Sequence, residues 1–113
     1  MEIELGTRVQ YTGLVVKEHD ANRRTDWVAL TDPDTGEEIV FEPPAEGIVI
    51  GVRHFQPGTT EAVVETSTFG YYVSSHTEYR PEIGVTRKVY LVVTDMRTKP
   101  VMVFPRQLQI IGG

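Results

Sequence analysis

The feature that most constrains the fold is a pattern that occurs twice. Residues 28–41 align without a gap onto residues 91–104, and both copies carry Thr-Asp-x-x-Thr and, further on, Val-Phe. Apolar residues flank each Thr-Asp turn, and Thr and Asp side chains satisfy backbone groups in turns. Each copy is therefore typical of a β-hairpin, and two hairpins in a short chain indicate an all-β barrel or small sandwich. The predicted hairpins pair 27–31 with 38–41 and 87–94 with 101–104.

The rest of the chain fits the same fold class. Gly13 interrupts the first predicted strand and marks a bulge or a close backbone approach. The run of apolar residues at 47–54 is continuous, as in a strand covered on both faces. Residues 55–85 depart from the compact pattern and predict an inserted β-hairpin arm. The predicted segments are a first strand at 6–16, an exposed polar loop at 17–26, a strand at 47–54, an arm pairing 61–66 with 71–75, a single helical turn at 105–108 and a closing strand at 109–111.

Size and composition limit the class of protein. With 113 residues, the chain predicts a single β-domain over 1–113, with the arm at about 55–85. It has no cysteine, which excludes disulfides and thiolate chemistry, and with no apolar leader it is expected to be cytoplasmic when synthesised. No segment is long and apolar enough to predict a membrane span.

Charge is unevenly distributed along the chain. The net charge is −5, with −7 in residues 1–50 and +2 in residues 51–113. Direct nucleic-acid binding is not expected from an acidic chain, because phosphate binding draws on Lys and Arg. Opposite charges on the two halves could instead complement each other between subunits, or simply decorate turns.

No motif predicts catalysis, a metal or a cofactor. The acidic turn at 32–38 superficially resembles a calcium loop, but the second copy replaces Asp34 and Gly36 by Arg97 and Lys99. The three histidines have no metal-ligand spacing, and no serine lies in a nucleophile elbow. We therefore expect a protein that is not an enzyme and has no cofactor.

The aromatic residues suggest a contact surface. Four of them fall in the repeats and are expected in the core: Trp27, Phe41, Tyr90 and Phe104. Others cluster in the arm, where Arg80 is the only base between Arg53 and Arg87, and tyrosine is favoured at protein interfaces. The alternative is an ordinary hairpin that covers the barrel. The predicted partner-binding residues are Phe69, Tyr71, Tyr72, His76 and Tyr79 on the arm, with Arg97 and Lys99 facing an acidic surface such as the 32–38 turn of a neighbour.

Two segments carry a resemblance to the small SH3-like barrels. These are the glycine-led strand Gly6-Thr-Arg-Val-Gln-Tyr and the run Val-Phe-Pro-Arg-Gln-Leu-Gln-Ile-Ile at 103–111. In those folds a single helical turn leads into the last strand. The resemblance covers all but the arm, and such barrels occur in many unrelated proteins.

An acidic barrel with a long inserted arm further resembles the head-to-tail connector proteins of tailed bacteriophages. That resemblance implies a non-enzymatic virion component that forms a homo-oligomeric ring and contacts neighbouring structural proteins. The competing interpretation is a regulatory SH3-like module that binds a protein or RNA partner in transcription or translation, since Gly6-x-x-Val9-x-Tyr11-x-Gly13 is similar to its first strand. A third is a β-domain that stays monomeric, with no exposed patch beyond a few hundred Å².

Overall fold

The computed structural model describes residues 3–66, 73–94 and 99–111, and within them the chain forms nine strands and one 3-10 turn. The strands are β1 (Arg8–Tyr11), β2 (Val15–His19), β3 (Arg24–Ala29), β4 (Ala45–Phe55), β5 (Gly58–Thr66), β6 (Val73–Pro81), β7 (Arg87–Val93), β8 (Val101–Val103) and β9 (Leu108–Ile110). The 3-10 turn, Pro105–Gln107, lies directly before β9. The predicted helical turn and closing strand are confirmed.

All nine strands belong to one antiparallel sheet. Its order is β6-β5-β3-β2-β8-β7-β4-β1-β9, so β6 and β9 form the two ends. The prediction of an all-β fold is confirmed. In the part of the chain that the structure describes, no pairing joins the two end strands, and the sheet is open rather than closed on itself.

The core lies where β1, β4, β7 and β8 meet. Val9, Val49 and Val103 are fully buried, and Tyr90 is 1% exposed. In β4 the neighbours of the core residue alternate with it: Ile48 and Ile50, on either side of Val49, are exposed, as the two-residue period of a strand requires. Strand β7 is instead buried on both faces, since Val89 beside Tyr90 is also fully buried.

Of the four aromatic residues expected in the core, Tyr90 is a member of it and Phe41 packs against it. Trp27 is only partly buried and stacks on Phe55, with ring centroids 4.3 Å apart. Phe104 is also partly buried and lies beneath the Arg106 guanidinium.

The second predicted hairpin is confirmed, and the first forms only next to its turn. Strands β7 and β8 pair, with Tyr90 opposite Val103. In the first repeat, β3 pairs with β2 and β5 instead, and residues 38–41 contribute only an isolated bridge between Thr31 and Glu38. Beyond that bridge Ile39 donates its N–H to the Leu30 carbonyl at 2.9 Å, and Phe41 then donates to the Thr12 carbonyl at 2.7 Å, so the segment after the turn leaves β3 and approaches β1.

Two further predictions near the N-terminus are corrected. The polar segment at 17–26 is a β2–β3 hairpin rather than a loop, closed by Asp20, whose Oδ1 accepts bonds from the N–H groups of Asn22 and Arg24. The predicted first strand is two strands, β1 and β2, that separate at Gly13. A Cβ at Gly13 would lie 2.6 Å from Gln107 Nε2, so the predicted close approach is confirmed.

The arm is present as an antiparallel hairpin. Strands β5 and β6 pair over nine residues each, from Gly58 opposite Pro81 to Thr66 opposite Val73. The molecule measures 67 × 34 × 30 Å, an elongated shape to which the arm adds length. The strand predicted at 47–54 is confirmed as part of β4, but the prediction that both of its faces are covered is wrong, because Ile48 and Ile50 are exposed.

Candidate functional site

The predicted partner-binding residues divide into two groups. His76 and Tyr79 lie exposed on β6, and Lys99 lies exposed before β8. His76 and Tyr79 are three residues apart in an extended strand, so they project from opposite faces of the arm. The other predicted contact residues, Phe69, Tyr71, Tyr72 and Arg97, lie outside the described residues.

The register of the arm sorts its side chains into two chemically distinct faces. One face carries no charge over its three described pairs: Thr60 with Tyr79, Ala62 with Thr77 and Val64 with Ser75. We call this the neutral face. The other, the charged face, pairs Thr59 with Arg80, Glu61 with Glu78 and Val63 with His76.

Both faces are open to solvent. On the neutral face Val64 is 63% exposed and Tyr79 is 45% exposed. On the charged face Arg80 reaches diagonally to Glu61, with Nε 3.0 Å from Oε2. A hairpin normally buries one face against a core, and this one leaves an apolar side chain in water.

The base of the arm is held by the β2–β3 hairpin. Strand β5 pairs with β3 at two positions, Arg24 with Thr59 and Thr25 with Gly58. Thr60 donates its N–H to the Arg23 carbonyl at 3.1 Å. These bonds fix the direction in which the arm leaves the rest of the sheet.

Tyr79 contributes to the same base. Its hydroxyl donates to the Gln56 carbonyl, and its ring lies over Gly58, where a Cβ would be 2.8 Å from the Tyr79 Cζ. A Cβ there would also be 2.4 Å from the Arg80 carbonyl oxygen. Gly58 therefore permits the close approach of the two strands, and Tyr79 is a supporting residue as well as an exposed one.

An ion-pair cluster ties the base to the sheet. Asp26 is buried, and Arg87 donates a hydrogen bond to each of its carboxylate oxygens, with Nε 3.1 Å from Oδ1 and Nη2 3.2 Å from Oδ2. Arg24 bridges Asp26 to Glu82: its Nη1 lies 3.1 Å from Asp26 Oδ2 and its Nε 2.6 Å from Glu82 Oε1. The cluster joins β3, the end of the arm and the start of β7.

The cluster shifts the titration of its members. Burial alone would raise the pKa of Asp26, but hydrogen bonds from Arg87 and the Trp27 N–H, with the charge of Arg87, outweigh it and lower that pKa. The hydrogen bond from Arg24 lowers the pKa of Glu82. Both carboxylates are therefore stabilised as anions.

Sequence reasoning missed this cluster. Asp26 and Arg87 are separated by 61 residues, and no local pattern links them. The one signal was Asp26 directly before Trp27 in a segment of strand-forming residues, where a carboxylate without a partner would be costly to bury.

A second surface is a groove of about 560 Å³ beside the cluster. The residues that line it include three cations and no carboxylate: Trp27, Val28, Ala29, Thr86, Arg87, Lys88, Phe104, Pro105 and Arg106. Arg106 is also paired with Glu38, at 2.9 Å. Arg87 is likewise paired with the buried Asp26, so carboxylates outside the groove offset the charge of two of its three cations.

The acidic turn at 32–38 is held by its own hydrogen bonds. Asp32 Oδ1 accepts the Asp34 N–H at 2.8 Å, and Thr35 Oγ1 accepts the Glu37 N–H at 3.3 Å. Across 3–66, 73–94 and 99–111, no three His, Asp or Glu side chains gather as metal ligands. Within those same ranges, no helix has the length and apolar character required to cross a bilayer.

Comparisons with protein-family models, with curated proteins and with solved structures found no match to this chain.

Proposed function

We propose that this chain is a non-enzymatic structural subunit that assembles with other copies and with neighbouring structural proteins through the β5–β6 arm. The proposal rests on one observation: the arm is a long, exposed hairpin, and its base is fixed by pairing with β3 and by the Asp26 cluster. An isolated two-stranded hairpin is marginally stable in water, and contact with a neighbour would cover its neutral face. The Asp26 cluster would hold the arm in the direction that this contact needs.

The proposal extends to the type of assembly. The 3-10 turn before β9 and the antiparallel pairing of β1 with β9 support an open sheet of the SH3-like type, into which the arm is inserted between β4 and β7. A fold of this kind with an extended arm is similar to the head-to-tail connectors of tailed bacteriophages. On this proposal the chain is made in the cytoplasm and becomes part of a virion as a homo-oligomer.

The test compares two valine variants. Val64→Asp places a charge on the neutral face of the arm, whereas Val40→Asp places one at a position of similar exposure (58%, against 63% for Val64) outside the arm. Light scattering over a concentration series measures the solution mass of each. We expect oligomers for the unmodified chain and for Val40→Asp, and a monomer for Val64→Asp. A Val64→Asp protein that assembles as well as the control would contradict the proposal.

A second candidate is a regulatory module that binds a protein partner, and the groove favours it. Lys88 would attract an acidic segment, and the ring of Trp27 in the same groove would contact an apolar side chain of that segment. Such a module would remain monomeric at every concentration and would lose affinity for its partner on Lys88→Glu. The same mass measurement therefore separates the two candidates.

A further inference from the structure

We propose that two copies of this chain join through the outer edges of their β6 strands, forming an antiparallel β6–β6 pair centred on Thr77. The inference rests on the proposed function, because it specifies how the arm meets a second copy.

The outer edge of β6 is available for pairing. Among the strands of 3–66, 73–94 and 99–111, β6 is one end of the sheet, and it pairs with β5 alone along its nine residues. The opposite end strand, β9, has three residues. Residues 75–80 of β6 are all exposed. A long strand with one unpaired edge is a template for a further strand.

The backbone groups that point to this edge follow from one hydrogen bond. Thr60 donates its N–H away from β6, to Arg23 on the β2–β3 hairpin. Thr60 lies opposite Tyr79, so their pair is one of the non-hydrogen-bonded pairs of the β5–β6 ladder. The backbone N–H and C=O of Tyr79 therefore point outward, and by the same alternation so do those of Thr77 and Ser75.

The sequence of β6 favours a register centred on Thr77. Thr77 is the midpoint of Val73–Pro81, so this register sets all nine residues opposite one another, although Pro81 has no N–H to donate to Val73 of the other copy. It sets His76 of each copy opposite Glu78 of the other on the charged face, and Ser75 opposite Tyr79 on the neutral face. Within one chain His76 Nε2 and Glu78 Oε1 already lie 2.9 Å apart, so the two groups are chemically compatible neighbours.

Neighbouring registers are less favourable. A register centred on Glu78 sets two carboxylates opposite each other, and like charges at opposite positions destabilise a sheet. A register centred on His76 sets histidine opposite histidine and places Arg80 and Pro81 beyond Val73, the first residue of β6. The Thr77 register has neither defect, and it places two threonine hydroxyls opposite each other, a favourable cross-strand pair.

The symmetry of the contact sets its stoichiometry. A strand that pairs with its own copy in antiparallel orientation uses the same surface twice, so the contact is two-fold and closes on itself. It yields a dimer. A ring would be built from such dimers through a second contact elsewhere on the molecule.

The test uses the absence of cysteine from the chain. In the proposed register Thr77 faces its own copy as a hydrogen-bonded pair, with Cα atoms about 5.5 Å apart, within the reach of a disulfide. Ser75 lies on the same strand and the same face, but its two copies would be roughly 14 Å apart, four residues along the strand. Thr77→Cys and Ser75→Cys are therefore a matched pair.

The measurement is the initial rate of disulfide-linked dimer formation in a glutathione redox buffer, at equal protein concentrations. We expect Thr77→Cys to cross-link at least about tenfold faster than Ser75→Cys, because only its sulfurs meet disulfide geometry. Equal rates, or a faster Ser75→Cys, would overturn the register. If the two cross-linking rates are equal but Val64→Asp still abolishes the oligomers, this inference is overturned and the proposed function stands. A strict monomer that cross-links at neither position would overturn both.

Discussion

Arg87 donates two parallel hydrogen bonds to Asp26, from Nε to Oδ1 at 3.1 Å and from Nη2 to Oδ2 at 3.2 Å. The pair connects the first residue of β7 to the middle of β3. The planar guanidinium fork suits this two-point contact, which a lysine could not reproduce. Arg24 then extends the contact to Glu82, directly after the arm.

Replacing Asp26 by Asn should destabilise the protein. The substitution removes the charge that Arg24 and Arg87 share while their side chains stay in place, and we expect a loss of about 2 kcal/mol in the free energy of unfolding. Glu46→Gln is the control, since Glu46 is exposed and lies 3.9 Å from Arg8; its effect should stay within about 0.5 kcal/mol. Urea unfolding measures both. Equal effects would show that the cluster does not stabilise the base of the arm.

The same cluster predicts how stability changes with pH. The pKa values of Asp26 and Glu82 are lowered in the folded state, so the unfolded chain binds more protons below about pH 4. Their contribution is fully present above the unfolded pKa values and is lost as the pH falls through the folded ones. We expect the free energy of unfolding to drop as the pH falls below about 4, with a shallower drop in Asp26→Asn. Parallel curves for the two proteins would contradict this assignment.

Gly58→Ala should disrupt the base of the arm. The new Cβ would lie 2.4 Å from the Arg80 carbonyl oxygen, a backbone atom that cannot move without shifting β6. We expect a loss of about 2 kcal/mol in unfolding free energy. Gly51→Ala is the matched control, because its Cβ would first meet Leu91 Cδ1, a side-chain atom, at 3.3 Å. If both variants unfold at the same urea concentration, the close approach at Gly58 is not a constraint.

Gly13 and Gln107 should be energetically coupled. Gln107 is buried; its Oε1 accepts the Phe104 N–H at 2.9 Å and its Nε2 donates to Glu38 at 3.1 Å. A Cβ at Gly13 would displace that amide, so Gly13→Ala and Gln107→Ala remove the same contacts. In a double-mutant cycle we expect the double variant to be more stable than the sum of the single losses implies, by about 1 kcal/mol. Strict additivity would mean that the two residues act independently.

Parts of the fold could be predicted because their cause is local. The second repeat formed its hairpin, since β7 and β8 carry apolar runs that both enter the core. The arm hairpin likewise follows from two strand-forming segments that pair with each other.

The wrong predictions from the sequence concern which strands pair with each other. The first repeat has the same pattern as the second, but β3 finds β2 on one edge and β5 on the other. The polarity of residues 17–26 predicts a loop. In the structure Lys17, Glu18 and His19 are instead exposed residues of a strand, which is why they are polar. Polarity marks exposure and does not separate an exposed strand from a loop.

The candidate site could be predicted only in outline. The arm was located from composition, and His76 and Tyr79 were found exposed on it. The composition of its two faces depends on the β5–β6 register. Its base depends on contacts among Asp26, Glu82 and Arg87, and the first and last of these are 61 residues apart in the sequence. Neither relationship has a local sequence signal.

The central claim is that the arm is a contact surface between subunits, and amide hydrogen exchange at several protein concentrations tests it most directly. We expect protection of the outward-pointing amides of Ser75, Thr77 and Tyr79 to rise with protein concentration as neighbouring copies cover the arm. The amides of Val89, Val92 and Val103 in the core serve as the internal reference and should not change. If the solution mass shows assembly but these arm amides exchange at the same rate at every concentration, the arm is not the contact surface between subunits.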